Sequence, residues 1–312
     1  MTVDLAVVGA IALDEIHSQA GDIEELLGGS AVYASLAASL LAQAAPISVI
    51  GDDFDVALLE PLVERGVQLD GVVQAQGPNF RWGCRYSADG DFRETLYTRA
   101  GVYDTHPIVV AEPIRDARFV LLTAGNPEQN RRALEQMAAP ELVVIDTIER
   151  EVAERRDEFR EQVREADLVS INTLEAALLI QWSGDHHDPE LPLAAWREIR
   201  GLGPSIFILK QASRGVEIFE RGRRTKIGAA PNVRATDPTG AGDTFAGALL
   251  SALACGRDLI EAAVWGCACA SFAIEAFGIN GLLRSTPDLV RERVPQITIE
   301  ELGLSTRLPR SR

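Results

Sequence analysis

The stretch Thr236-Asp237-Pro238-Thr239-Gly240-Ala241-Gly242-Asp243-Thr244-Phe245 holds the residue types best suited to chemistry. Three small residues at 240–242 let the chain turn tightly, and 243–254 (DTFAGALLSALA) reads as a helix beginning directly behind them. The first amides of a helix have no partner inside it and lie at the positive end of its dipole, so such a turn is an anion site. Asp243 stands at its mouth. A carboxylate whose only task was to bind phosphate would be repelled by it. A carboxylate that takes the proton from a hydroxyl attacking phosphorus belongs there. Asp243 as a plain helix cap fits the acid alone, but not the whole order of strand, turn, small-residue cradle, acid and apolar helix. The chemistry implied is phosphoryl transfer, with Asp243 as base and the amides of Gly240, Ala241 and Gly242 stabilising charge on the transferred group.

The elements that must position this turn follow a regular alternation. Residues 3–10 (VDLAVVGA) form a short apolar run closing on Gly9, as a buried strand would. Residues 30–43 are small-residue-rich and helical, directly after Gly28-Gly29. Ile47–Ile50, ending at Gly51, reads as the next strand and is followed by a helix to about Arg65. Further strand-like runs cover 119–122, 142–145, 168–171 and 206–209, the first three each followed by a helical pattern. Strands alternating with helices predict a parallel sheet with right-handed crossovers, hence an α/β core. Residues 72–103 break the rhythm. Trp82, Cys84 and Tyr86 alternate with polar neighbours, Asp89-Gly90 is a hairpin signal, and Phe92, Glu94 and Leu96 follow on one face. That segment predicts an antiparallel ribbon, either a lid that excludes water or a surface decoration. The last eight residues, STRLPRSR, read as a frayed tail.

Composition narrows the class. The chain has 312 residues, 46% hydrophobic and 24% charged, enough to bury a substantial core. It holds no uninterrupted apolar run of about 18 residues, so no spanning helix is expected. The N-terminus carries an early acid and reads as a strand rather than a signal peptide. Four cysteines make no disulfide framework, and a cytoplasmic location is expected. Thirty basic against 46 acidic residues give a net charge of -16, which repels nucleic acid. The cluster Arg221, Arg223, Arg224 and Lys226 surrounds a glycine between two apolar runs and reads as a hairpin turn.

The motif DPTGAGDTFAGALL resembles the C-terminal signature D-T-x-G-A-G-D of the ribokinase-like (PfkB) carbohydrate and nucleoside kinases. Four further segments fall in the order the resemblance requires, so it covers almost the whole chain. Residues 7–16 (VVGAIALDEI) resemble the family's first strand, whose terminal acid binds sugar hydroxyls, which gives that role to Asp14. Gly28 and Gly29 resemble the di-glycine switch between lid and core. INTLE (171–175) resembles the N-x-x-E element, implying roles for Asn172 and Glu175 around Mg²⁺, through water at Glu175, and the nucleotide phosphates. The same two residues also fit a helix cap with its reciprocal acid. ILKQASRGVEIF (208–219) resembles the strand-turn-strand along ATP, with Lys210 reaching phosphate and Gly215 in the turn. Asp237 and Thr239 are candidate ligands of a K⁺ ion.

The resemblance implies a three-layer α/β/α fold in one domain over 1–312, with a β lid from about 12–20 and 72–103. It implies an ATP- and Mg²⁺-dependent phosphotransferase acting on a hydroxymethyl group, and a homodimer through the lid is consistent with it. Departures concern the acceptor. Where ribokinase has Asn before the sugar-binding Asp, and Lys and Asn after the di-glycine, this chain has Ala12, Ser30 and Tyr33. A strict ribokinase is therefore not expected. The acceptor reads as another sugar, with a nucleoside or a non-catalytic binding protein as alternatives. Ala212 stands where the ATP turn would have its first glycine.

Other constellations carry no site. Cys267 and Cys269 would point about 200° apart on a helix and read as core. His186-His187 lies in a polar loop. The dinucleotide fingerprint and the Walker A lysine motif are both absent from the sequence. The stretch 258–277 reads as a buried helix capped by Asp258 and Glu261.

Overall fold

The computed structural model describes residues 3–87 and 93–303. The Asp89-Gly90 turn, Phe92 and the tail expected at 305–312 lie outside them. Fourteen strands run in chain order: β1 Leu5–Val8, β2 Ala12–Ser18, β3 Gly21–Gly28, β4 Ala44–Gly51, β5 Val72–Ala75, β6 Phe80–Tyr86 and β7 Arg93–Arg99. There follow β8 Phe119–Leu122, β9 Leu142–Ile145, β10 Leu168–Asn172, β11 Ile206–Lys210, β12 Val216–Glu220, β13 Arg223–Ile227 and β14 Ile299–Leu302. Ten of them form one sheet in the order β14-β13-β12-β11-β10-β9-β8-β1-β4-β5, parallel from β11 to β5 and antiparallel at the other edge. The remaining four form a small sheet in the order β3-β2-β6-β7.

The central strands are continuous apolar runs because both of their faces are covered. Within β1, Leu5 and Val7 enter one hydrophobic core while Ala6 and Val8 enter the other. The first core packs against helices Ser30–Ala38, Ala241–Ala254 and Leu259–Ala273, and the second against Arg156–Arg164, Thr173–Ile180 and Leu191–Leu202. This is the three-layer α/β/α arrangement expected. Small residues set the spacing within the first layer. A methyl added at Gly247 would fall 2.2 Å from the Ala34 carbonyl oxygen, so helices Ser30–Ala38 and Ala241–Ala254 cross at backbone contact. Their N-terminal ends are thereby held side by side.

Several expected boundaries shift. The run 3–16 is not one strand: β1 stops at Val8, and Asp14 lies in β2 of the small sheet. The small sheet also includes β3, GDIEELLG, an acid-rich strand kinked at Glu25 (φ 56) and absent from the expected lid. Val72–Ala75, expected in the lid, pairs instead with β4 in the large sheet. The ribbon β6–β7 is antiparallel as expected, with a bulge at Gly83/Cys84, and Trp82, Cys84 and Tyr86 are buried beneath it. Helix 30–43 ends at Ala38, and helix 258–277 covers Leu259–Ala273 with Asp258 accepting the Glu261 amide at 2.8 Å. Arg221 (φ 42) and Gly222 (φ 81) form the turn between β12 and β13, as the basic cluster implied.

Candidate active site

A cleft of ≈ 450 Å³ lies where the small sheet covers the loops at the carboxyl ends of β1, β8 and β9 and the start of helix Ala241–Ala254. Open α/β sheets bind ligands at this edge. Asp14, Tyr33, Thr239, Gly240 and Asp243 line one end of it. Gly240 has φ 72, and a methyl there would fall 2.3 Å from the Tyr33 ring. Only glycine combines that left-handed turn with an aromatic ring directly above it. Asp243 follows in the first turn of the helix, facing the cleft.

The three-amide cradle needs one correction. The Ala241 amide donates to the Pro238 carbonyl at 3.3 Å and so closes the turn rather than facing a ligand. Among the described residues, no main-chain carbonyl takes the Gly240 or Gly242 amide. The helix also begins at Ala241, two residues before the expected start.

Lys210, the last residue of β11, reaches this anion site: a methyl at Gly242 would lie 2.9 Å from its Nζ. The ammonium donates to Asp146 Oδ2 at 2.5 Å. Burial works against its charge, but Asp146 and Glu175 outweigh burial and raise its pKa. Asp146 is 3% exposed and was not singled out from sequence. Its signal was available: an acid ending the apolar run LVVID, at the ligand-binding edge of the sheet.

Asn172 and Glu175 form a reciprocal cap at the start of helix Thr173–Ile180. Asn172 Oδ1 accepts the Glu175 amide at 2.9 Å, and Glu175 accepts the Asn172 amide at 2.8 Å and its side-chain amide at 2.6 Å. Both Glu175 oxygens are thus engaged, and burial drives its pKa upward against the pull of Lys210.

Asp14 sits over the di-glycine. A methyl at Gly28 would fall 1.9 Å from Asp14 Oδ2, so the carboxylate occupies the space a side chain would fill. Gly29 (φ 93) crosses β2 closely, with its would-be methyl 2.3 Å from the Ala10 carbonyl oxygen. Burial, then Asp237 and more weakly Asp243, push the Asp14 pKa up to about 8, with the Gly29 amide opposing. Asp237 accepts the amides of Thr239 at 3.0 Å and Gly278 at 2.9 Å, tying the motif to the loop after helix Leu259–Ala273. Each of its two oxygens thus accepts one main-chain amide. The small sheet touches the motif directly, where the hydroxyls of Tyr86 and Thr239 share a hydrogen bond at 2.9 Å.

Further along, Gly215 closes the turn between β11 and β12, and Ala212 in that turn adopts φ 50, a conformation suited to the glycine it replaces. Around the single cation Lys210 stand Asp146, Glu175 and Asp243. This surplus of hard oxygen donors is of the type that accompanies Mg²⁺ and phosphate. Cys267 and Cys269 are core residues, their thiol pKa values raised by burial. The exposed loop at 185–187 brings the Asp185 carboxylate near both imidazoles, an acid the sequence reading did not place there. Hydrogen bonds account for it: Asp185 accepts the His187 amide at 2.7 Å, and His187 Nδ1 meets Arg214 at 3.2 Å.

The sequence matches the pfkB family carbohydrate kinase description over residues 1–285. The chain belongs to the PfkB family. It is an ATP-dependent phosphotransferase. The cytidine kinase of Thermococcus kodakarensis is 28% identical over 264 residues, 83% of this chain and 91% of that protein. The ribokinase of Bacillus subtilis is 26% identical over 310 residues, 89% of this chain and 95% of that protein. The fold is shared with the nucleoside kinase of Burkholderia thailandensis in complex with inosine, with TM-score 0.75 at 19% identity and coverage of 93% and 97%. No helix among the described residues is long and apolar enough to cross a membrane.

Proposed function

We propose that this PfkB kinase transfers the γ-phosphoryl group of ATP to the hydroxymethyl hydroxyl of a nucleoside. The cleft carries this reading. Its ≈ 450 Å³ lies within the roughly 300–1,000 Å³ of sites that bury drug-sized ligands. Besides Asp14 and Asp243 it is lined by Phe80, Tyr103, Asn126 and Ile148. A pentose alone offers no apolar ring to these aromatic and aliphatic side chains, whereas an attached heterocycle matches them. Sequence alone favoured a free sugar; the shape and lining of the cleft favour the nucleoside. The relative named a cytidine kinase supports the same choice, while the full-length match to a ribokinase keeps a free sugar as the second reading.

Charge narrows the class further. Glu94, Asp104, Glu149 and Asp243 line the cleft against one cation, Arg150, while burial pushes the pKa values of the two other lining acids, Asp14 and Glu151, up to about 8. An acceptor that already carries phosphate would be repelled, so the acceptor is uncharged.

In the proposed reaction Asp14 accepts or donates hydrogen bonds to acceptor hydroxyls at the Gly28-Gly29 junction. Asp243 takes the proton of the attacking hydroxyl. The Gly242 amide and the Lys210 ammonium hold the transferred phosphoryl oxygens, with Asp146 fixing Lys210. Asn172 and Glu175 keep the opposite wall of that pocket in register, and the turn at Ala212–Gly215 flanks the nucleotide. Mg²⁺ bound with ATP supplies charge neutralisation on the phosphates. The small sheet, which meets the motif in the Tyr86–Thr239 hydrogen bond, serves as the lid that keeps water from the phosphoryl group. A homodimer through the open edges of the small sheet is part of the same proposal.

The test is ADP release from MgATP with a panel of free pentoses, hexoses, their phosphates and nucleosides. Turnover should be fastest with a nucleoside and negligible with phosphorylated sugars. Turnover confined to free sugars would overturn the nucleoside reading.

A further inference from the structure

Tyr103 is 1% exposed, and its hydroxyl has no hydrogen-bond partner among the described residues. Buried hydroxyls are nearly always satisfied, because leaving one unpaired costs its full desolvation. On the wall of a ligand cleft, as for Tyr33 and Tyr103 here, a bound ligand can supply the missing partner. Tyr103 is on that wall, together with Phe80, Gly125 and Glu151. Its surroundings hold the hydroxyl in place. The ring packs edge-on against Phe80 with centroids 6.0 Å apart. A methyl at Gly125 would fall 2.5 Å from the hydroxyl oxygen, so the absence of a side chain there admits it. Gly125 is fixed in turn: its amide donates to Glu151 Oε2 at 2.9 Å, and the Thr147 hydroxyl donates to the same oxygen at 3.3 Å. Gly125 and Glu151 also line the cleft.

We propose that Tyr103 is a specificity-determining residue whose hydroxyl hydrogen-bonds the polar edge of the acceptor's heterocycle. This rests on the nucleoside reading above. A phenol both donates and accepts, so it can meet either a ring nitrogen or an exocyclic oxygen or amine. The apolar walls then take the faces of the ring. A free pentose carries no heterocycle, so its binding at Asp14 brings no ring edge to the hydroxyl of Tyr103. Discrimination between nucleoside and free sugar then arises from a buried polar group that only the nucleoside satisfies.

The experiment compares wild type with Tyr103→Phe, using cytidine, inosine and adenosine as nucleosides and 1-O-methyl-β-ribofuranoside and ribose as probes without a base. For the preferred nucleoside the variant should show a KM raised about fivefold to tenfold, with kcat within about twofold. KM for any base-free probe should be unchanged. The variant without ligand should melt at the same temperature or higher, because an unsatisfied buried hydroxyl has been removed. A packing role would instead lower the melting temperature and affect all acceptors alike, and that result overturns the proposal. Wild-type turnover of nucleosides with an unchanged KM in the variant overturns the role of Tyr103 alone. Turnover of ribose with no nucleoside overturns both it and the nucleoside reading.

Discussion

Lys210 Nζ lies 2.5 Å from Asp146 Oδ2 while standing directly in front of Gly242, so one ammonium joins the end of β9 to the anion site. A lysine on a flexible stem would otherwise spread over many rotamers, and the buried carboxylate selects the one that meets phosphate. Lys210→Met should lower kcat/KM for ATP by about 10²–10³, the usual cost of losing one charge-stabilising donor. Asp146→Asn should cost about tenfold, and the double variant should be no slower than Lys210→Met, because the two act as a unit. Additive losses in steady-state kinetics would show that Asp146 has a separate role.

Asp14 connects function to stability. Its pKa rises from 3.8 to about 8 in the folded protein, so between those values the folded state keeps a proton that the unfolded state releases. That contribution to stability is full below pH 3.8 and declines as pH rises towards 8. Asp14→Asn removes the ionisable group. Its melting temperature should exceed wild type by a few degrees at pH 8 and by less at pH 5, while KM for the acceptor rises about 100-fold or more and KM for ATP holds. Equal shifts at both pH values would contradict the assignment.

Gly240 and Gly242 fail for different reasons when given a side chain. Gly240→Ala forces a left-handed alanine, at about 1–2 kcal/mol, and drives its methyl into the Tyr33 ring. Gly242→Ala meets only the flexible end of Lys210. Thermal denaturation should show a drop of several degrees for the first and little change for the second, with turnover lost in both. A stable, active Gly242→Ala enzyme would remove Lys210 from the phosphate site.

Ala212 offers the converse. Placed at φ 50, it carries strain that glycine would relieve, partly offset by the greater freedom of glycine in the unfolded chain. Ala212→Gly should stabilise by about 1 kcal/mol and leave the acceptor KM unchanged. A destabilised variant in urea titration would mean the turn is not strained.

How much was legible beforehand follows from what each residue depends on. The motif at 236–245 declares itself because its chemistry needs consecutive residues, and the parallel core because strands covered on both faces are uninterrupted apolar runs. Glu175 and Asn172 could be read from sequence both as ligands and as a cap, and the hydrogen bonds show the cap. Asp146 escaped notice because its partner Lys210 is 64 residues away and nothing local marks the pair. Strand β3 was missed because acids on a small sheet exposed on one side leave no apolar period to follow. The loss of the Ala241 amide to Pro238 depends on backbone geometry that no residue type encodes.

The most direct test of the account is Asp243→Asn, assayed for turnover with MgATP and the preferred acceptor and for ATP affinity by equilibrium titration. General-base catalysis predicts a fall in kcat of about 10²–10⁴ with ATP affinity within about twofold. A variant that keeps more than about a tenth of the wild-type rate, a barrier change below ~1.4 kcal/mol, would show that the proton leaves the acceptor by another route.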